Sequence, residues 1–292
     1  MSDTSIEWTD KVWNPVTGCT KVSQGCKHCY AERVFPRAYA ATGRKFTDVA
    51  CHEDRLDQPL HWKKPARIFV NSMSDLFHES IPYKFIGRVF RTMHQANWHT
   101  YQILTKRPAR MVDFVRWAMV EGNGNPEMYL DGVDDHIHLG FSAEDQKTFD
   151  ERWATVSEWS WLFPLVWVSL EPLLGSVNCG TALHPGYVDG KHAPGIGWIV
   201  AGGESGPNAR PMHPDWARSL RDQCQAAGVP FFFKQWGEWE PQRQSPGGTG
   251  FGNGQHHWPG ESDCRMSFRV GKKAAGRMLD GREWNEYPEV RA

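Results

Sequence analysis

The sequence predicts an α/β fold: a TIM-like parallel β/α barrel, complete or partial. Short, nearly continuous apolar runs alternate with amphipathic segments along most of the 292 residues, the pattern of strands buried on both faces and covered by helices. Each apolar run finishes in a cluster of polar side chains, and in parallel β/α folds chemistry gathers at the carboxyl ends of the strands. Neither an internal repeat nor a long low-complexity tract competes with this reading.

Six strands follow in order. Residues 67–75 end in Asn71, Ser72, Ser74 and Asp75, and residues 100–107 end in Thr105, Lys106 and Arg107. Residues 136–144 close on Ser142 and Glu144, and 165–172 on Ser169 and Glu171. Residues 197–206 end in Gly202, Gly203, Glu204 and Ser205, and 230–236 in Lys234 and Gln235. Between them, residues 82–96, 108–121, 146–158 and 214–227 carry helical apolar spacing. One domain over 1–292 is expected, with an N-terminal cysteine loop at 13–32 and a long loop insertion at 241–262 rich in Gly, Pro and Gln. Beyond it, residues 271–288 read as a basic turn or short helix followed by a tight turn at Asp280 and Gly281.

The cysteine loop carries the strongest chemical signal. Cys19, Cys26 and Cys29 form a Cys-x6-Cys-x2-Cys run, which supplies three thiolates rather than the four of a closed structural zinc site. Three soft ligands can hold an iron–sulfur cluster and leave one iron open. Gly18 and Gly25 each precede a cysteine and let the loop fold tightly. A zinc site completed by a distant His or Cys, and ordinary free cysteines, are the alternatives. Cys51, Cys179, Cys224 and Cys264 read as packing residues, and the adjacent His256 and His257 do not make a convincing metal pair.

Composition sets bounds. No apolar run reaches the length of a membrane span and no charged-then-apolar leader begins the chain, so a cytoplasmic location without membrane contact is expected. Seven scattered cysteines do not resemble a secreted disulfide framework. A net charge of −1 argues against wholesale electrostatic binding of nucleic acid. Two stretches are locally basic: residues 21–70 carry ten Lys or Arg against five acidic residues, and 265–282 carry six against one. Fifteen tryptophans are a heavy load, and most must be core or interface residues.

If S-adenosylmethionine chelates the open iron, the site needs an acceptor for its amino group, a cation for its carboxylate, hydroxyls for its ribose and an apolar wall for adenine. The strand ends offer Asp75, Glu144, Glu171 and Glu204 as acceptors and Lys106, Arg107 and Lys234 as cations. Thr105, Ser72, Ser142 and Ser169 can reach hydroxyls. Gly202 and Gly203 let a ligand approach the backbone, whose N–H groups can receive an anion. Reductive cleavage of the cofactor then requires an electron donor.

Several runs extend this picture: Ile6-Glu-Trp-Thr-Asp10, Trp13-Asn-Pro-Val-Thr-Gly-Cys19, Gly25-Cys-Lys-His-Cys-Tyr-Ala-Glu32, Phe69-Val-Asn-Ser-Met-Ser-Asp-Leu-Phe77, Leu104-Thr-Lys-Arg-Pro108, Ser169-Leu-Glu-Pro-Leu-Leu-Gly175, Gly202-Gly-Glu-Ser-Gly206 and Phe233-Lys-Gln-Trp236. Together they resemble a phage-associated three-cysteine-motif family of unknown function, itself similar to radical S-adenosylmethionine enzymes of the spore photoproduct lyase kind. The resemblance implies a TIM-like barrel, a 4Fe-4S cluster on Cys19, Cys26 and Cys29, and S-adenosyl-L-methionine as cofactor. Its phage setting implies a nucleic-acid base or nucleotide as substrate, as in DNA modification or repair. Most such enzymes carry three residues in the first cysteine gap, whereas six stand here. The rival functional reading is a non-catalytic, metal-stabilised protein that binds a nucleotide or a partner. A metal-dependent hydrolase lacks a His/Asp ligand cluster at the strand ends.

Overall fold

The computed structural model of the protein describes residue 4 and residues 6–120, 132–241, 254–258 and 266–289. Seven strands form one all-parallel sheet whose spatial order follows the chain: β1 (Lys11–Trp13), β2 (Arg67–Val70), β3 (Thr100–Thr105), β4 (Ile137–Ala143), β5 (Val166–Leu170), β6 (Ile196–Gly202) and β7 (Phe231–Gln235). The helices are α1 (Tyr30–Ala38), α2 (Tyr83–Gln95), α3 (Pro108–Val120), α4 (Gln146–Ser157) and α5 (Pro214–Ala227). The last starts with proline in its first turn and ends on Gly228 in the left-handed region (φ 68), the usual asymmetry of helix ends. Before α4, Asp145 and Thr148 form a reciprocal capping box.

The six expected strands and four expected helices are all present. The pattern did not reveal β1, which is three residues long and so carries no periodic signal. It also missed α1, whose interior Pro36 disguises it as a turn.

Alternation along the strands divides the core in two. Ile68 and Val70 of β2, Tyr101 and Ile103 of β3, Leu139 and Phe141 of β4, and Val166 and Val168 of β5 pack with the buried faces of α2, α3 and α4. The residues between them point the other way. There Trp8, Trp167, Trp198, Val200 and Phe232 make a second cluster, with Phe69 and Leu104 against it.

That second cluster shows the sheet to be curled into a half-barrel. Strands β2 and β5 stand three positions apart, roughly 14 Å in a flat sheet. Yet the Trp8 ring lies 4.7 Å from Phe69 of β2, 5.4 Å from Trp167 of β5 and 6.1 Å from Trp198 of β6, between ring centroids. Gly140 of β4 makes room for this plug, since a Cβ there would lie 2.5 Å from the Trp167 ring.

A complete barrel is not formed. Between the edge strands β1 and β7, chain termini fill the gap in place of an eighth strand. The Tyr287 ring lies 5.5 Å from Phe232 of β7 and 5.7 Å from Trp198, and the Arg67 guanidinium of β2 lies 4.1 Å above it. The Tyr287 hydroxyl donates to the Glu7 carbonyl (3.4 Å), and Lys272 pairs with Glu7 (3.3 Å). No helix among the described residues is long and apolar enough to cross a membrane.

The stretch 241–262 is not wholly a loop. Gln255–His257 is a strand paired with Met266–Arg269, which also pairs with Trp239–Pro241 in a small antiparallel sheet. Three residues with Gln255 and His257 outward give too little alternation to read. Residues 242–253 and 259–262, and Cys264 beyond them, lie outside the described residues. The expected basic helix is Lys272–Ala275, and Asp280 and Gly281 turn a short hairpin, both at positive φ. Cys179 and Cys224 are buried, as packing residues are.

Candidate functional site

The carboxyl ends of the strands open into a cavity of about 440 Å3 on the concave side of the sheet. Of the residues singled out by sequence, Ser72, Lys106, Ser142, Ser169, Glu171, Gly203, Glu204, Lys234 and Cys29 line it. Ser142 and Ser169 are register partners on β4 and β5 and form part of its floor. Neither hydroxyl has a hydrogen-bond partner among the described residues. The Lys234 ammonium donates to Glu171 Oε2 (2.8 Å) inside the cavity, and the Gln235 amide donates to the other carboxylate oxygen (3.3 Å).

Asp75, Thr105, Glu144 and Gly202 are not part of the lining. Asp75 is buried and saturated. It accepts from Thr105 Oγ1 (2.7 Å), the Phe77 N–H (3.0 Å), the Lys106 N–H (3.1 Å) and Arg107 Nη1 (3.2 Å). Its work is to fix the turn after β3 and the Arg107 guanidinium, with Thr105 as a strut. Arg107 reaches on to the cysteine loop, donating to Thr20 Oγ1 (2.9 Å), to the Thr20 carbonyl (3.2 Å) and to Cys19 Sγ (3.6 Å).

Glu144 anchors the same loop from beneath. Fully buried, it lies 3.3 Å from Arg152 and 3.7 Å from Lys106, and it accepts from Ser23 Oγ (2.7 Å). Gly25 is packed over it: a Cβ would fall 2.3 Å from Glu144 Oε1, so only glycine fits between carboxylate and loop. Gly18 has φ 88 and abuts the Asp48 and Phe46 carbonyls. Glu204 supplies a third tether. Arg210 binds it through Nε (2.8 Å) and Nη2 (2.5 Å) and donates on to the Gln24 carbonyl (3.1 Å). Burial raises the Glu204 carboxyl, but the Arg210 hydrogen bonds outweigh it and hold the group below the usual carboxylate range.

The cysteine loop therefore lies over the cavity mouth, bound to the rims of β3, β4 and β6. Its three thiols are free and half-buried. Burial, then the Asp75 carboxylate, push the Cys19 thiol up to about 11, opposed by the charge of Arg107. Cys29 is the N-cap of α1, its carbonyl accepting from the Arg33 N–H (3.1 Å), and the residue is part of the cavity lining. Among the described residues, no three His, Cys, Asp or Glu side chains are grouped as ligands of a metal ion.

The glycine-rich turn after β6 differs from its sequence reading. Two of its N–H groups are already engaged: Gly203 donates to the Gln235 carbonyl (2.9 Å) and Gly206 to Glu238 Oε1 (2.8 Å). A Cβ on Gly203 would lie 2.0 Å from the Trp236 carbonyl, so close backbone packing explains the glycine. Sequence reasoning missed Tyr30 and Lys272 in the lining, and read Gln235 as a polar strand end without assigning it to a ligand. Tyr30 and Gln235 each directly follow a chosen residue, Cys29 and Lys234, and that adjacency was the available signal.

A parallel half-barrel with a polar cavity at its carboxyl mouth, roofed by a three-thiol loop, defines the architecture as a partial parallel β/α barrel. The chain belongs to the family described as protein of unknown function (DUF5131), whose model matches residues 3–288. No curated protein and no solved structure matches it.

Proposed function

We propose that this chain is a cytoplasmic iron–sulfur enzyme of the radical S-adenosylmethionine kind, with Cys19, Cys26 and Cys29 as ligands of a 4Fe-4S cluster. One observation carries the reading: a loop with three free thiols is tethered over the carboxyl mouth of a parallel half-barrel, with Cys29 in the lining of the polar cavity. A cubane cluster spreads its ligands over separate irons and does not ask them to converge on one point. Three soft donors beside a cavity suit it, while a mononuclear zinc site would need a convergent fourth ligand. When bound, such a cluster leaves one iron open to chelation by S-adenosylmethionine and supplies the electron for its reductive cleavage.

The chain's own residues then divide the work. Asp75 and Glu144 act behind the wall and Glu204 from the lining itself, holding the cysteine loop through Arg107, Ser23 and Arg210. Ser142 and Ser169 offer hydroxyls from the floor, and Lys106 and Lys234 offer cations to a carboxylate. Glu171 is the carboxylate that can turn toward an ammonium, since a single lysine and one amide hold it. A phage-linked role on a nucleic-acid base or nucleotide, with an external electron donor as partner, completes the reading.

The test is turnover. Anaerobically reconstituted protein with dithionite and S-adenosylmethionine is expected to release 5′-deoxyadenosine, and the Cys26→Ser variant to release none. Wild-type protein that binds iron but yields no 5′-deoxyadenosine would overturn the assignment. The three tethers on the cysteine loop favour a second reading, a non-catalytic, metal-stabilised binding protein. It predicts that Cys26→Ala lowers thermal stability without any cofactor turnover in the wild type.

A further inference from the structure

A second, smaller cavity of about 330 Å3 lies beside the main one. Glu7, Lys234, Gln235 and Lys272 line both, so the two adjoin. Lys273 and Arg277 complete the annex, which brings four cationic side chains around one carboxylate, Glu7. This is a local concentration in a chain of net charge −1.

The cations are held loosely. This holds for Lys272, which meets Glu7 at 3.3 Å with its side chain 43 % exposed, whereas Arg277 donates to Asn285 Oδ1 besides meeting Glu283 at 3.8 Å and Lys234 is committed to Glu171 at 2.8 Å. Exposed pairs of this kind contribute little and exchange readily. Lys273 is exposed and has no partner among the described residues. At the junction of the two cavities, Gln235 is 4 % exposed and its amide oxygen has no hydrogen-bond partner. A buried acceptor without a donor is costly, and a ligand N–H at the junction would satisfy it.

Across the mouth stands Tyr30, which lines the main cavity and is 54 % exposed. The Arg33 guanidinium lies 5.8 Å from its ring. Cations beside an exposed aromatic ring are the pairing that binds the phosphate and the base of unpaired nucleotides.

We propose that the mouth binds a nucleotide, free or within a single strand. Its phosphate occupies the annex beside Lys272, Lys273 and Arg277, and its base lies against Tyr30 with an N–H toward Gln235. This deepens the proposed function, which takes a nucleic-acid base or nucleotide as substrate, by assigning the phosphate and base subsites of the same cavity, and it rests on that reading only for the cavity's being a substrate site.

Binding is measured by fluorescence anisotropy with a short labelled DNA strand across a salt series, with a nucleoside monophosphate and inorganic phosphate as competitors. The Lys273→Gln/Arg277→Gln double variant is expected to bind about tenfold more weakly, with a salt slope shallower by roughly 0.7 per lost phosphate contact. Lys273→Gln alone removes an unpartnered surface charge, so it retains wild-type melting and still shows part of the effect. Tyr30→Ala is expected to weaken strand and monophosphate binding about tenfold and leave competition by inorganic phosphate unchanged. Competition by the monophosphate at low excess identifies a free nucleotide, and competition only by strand identifies nucleic acid; either supports the site. Unchanged affinity and slope in Lys273→Gln and the double variant, or no binding of any phosphate ester by the wild type, overturns it. Cys26→Ser is expected to keep strand affinity, so a failure of the cluster assignment and a failure of this site are read separately.

Discussion

The concave face of the sheet does opposite things at its two ends. Toward the amino ends of the strands, Trp8, Trp167, Trp198 and Phe232 interlock in edge-on contacts. Toward the carboxyl ends, the same strands present Ser142, Ser169 and Lys234 to an open cavity. On β5, a single residue stands between the packed Trp167 and Ser169, and on β7 a single residue stands between Phe232 and Lys234. A half-barrel lacks the enclosing strand that would hold its interior together. Large rings fill the lower layer and close the gap, and this leaves the upper layer free to be polar. Stability and binding are thus stacked along single strands rather than assigned to separate elements.

The comparison predicts a gradient of mutational effects. Trp167→Ala should destabilise by about 3–5 kcal/mol in urea unfolding, from lost burial and the cavity left behind. Asp75→Ala, although at the carboxyl end, should cost about 3 kcal/mol, because it leaves the buried Arg107 with only the exposed Glu79 as carboxylate partner and strips the Thr105 hydroxyl of its acceptor. A loss under about 1 kcal/mol would show that Asp75 does not hold the rim.

His138 belongs to the lower layer, and its Nδ1 has no partner. Burial, then the charge of His136, pull its imidazole down to about 4. The unfolded chain takes up that proton from about pH 6.5 downward. Stability should therefore fall by up to about 3 kcal/mol as pH drops from 6.5 toward 4, a slope that His138→Gln should flatten. Gly140→Ala should cost about 1–3 kcal/mol by crowding Trp167. Ser142→Ala and Ser169→Ala should change stability by less than about 0.5 kcal/mol while lowering the yield of 5′-deoxyadenosine several-fold. A large loss of stability from either serine would erase the contrast between the layers.

Much of the upper layer was legible in the sequence because polar residues interrupt apolar runs where strands end. Ser72, Ser142, Ser169, Glu171 and Lys234 reached the cavity by that logic alone. Asp75 and Glu144 looked the same in sequence, yet they serve the loop from behind, because the cations that claim them come from other segments: Arg107 for Asp75, Arg152 and Lys106 for Glu144. Nothing local marks a carboxylate as saturated. The tryptophan plug was visible only as an unusual count, since Trp8, Trp167 and Trp198 meet through curvature that no short window encodes. Gly25 is the most informative glycine of the loop, and its reason is Glu144, far along the chain.

The central claim is that the three thiols are cluster ligands rather than packing cysteines. Iron and acid-labile sulfide counted after anaerobic reconstitution test it most directly. The account predicts about four of each per chain in the wild type, and a clear loss in each of Cys19→Ser, Cys26→Ser and Cys29→Ser, with Cys224→Ser unaffected. Colourless protein without sulfide, or equal loading in the three variants, would contradict it.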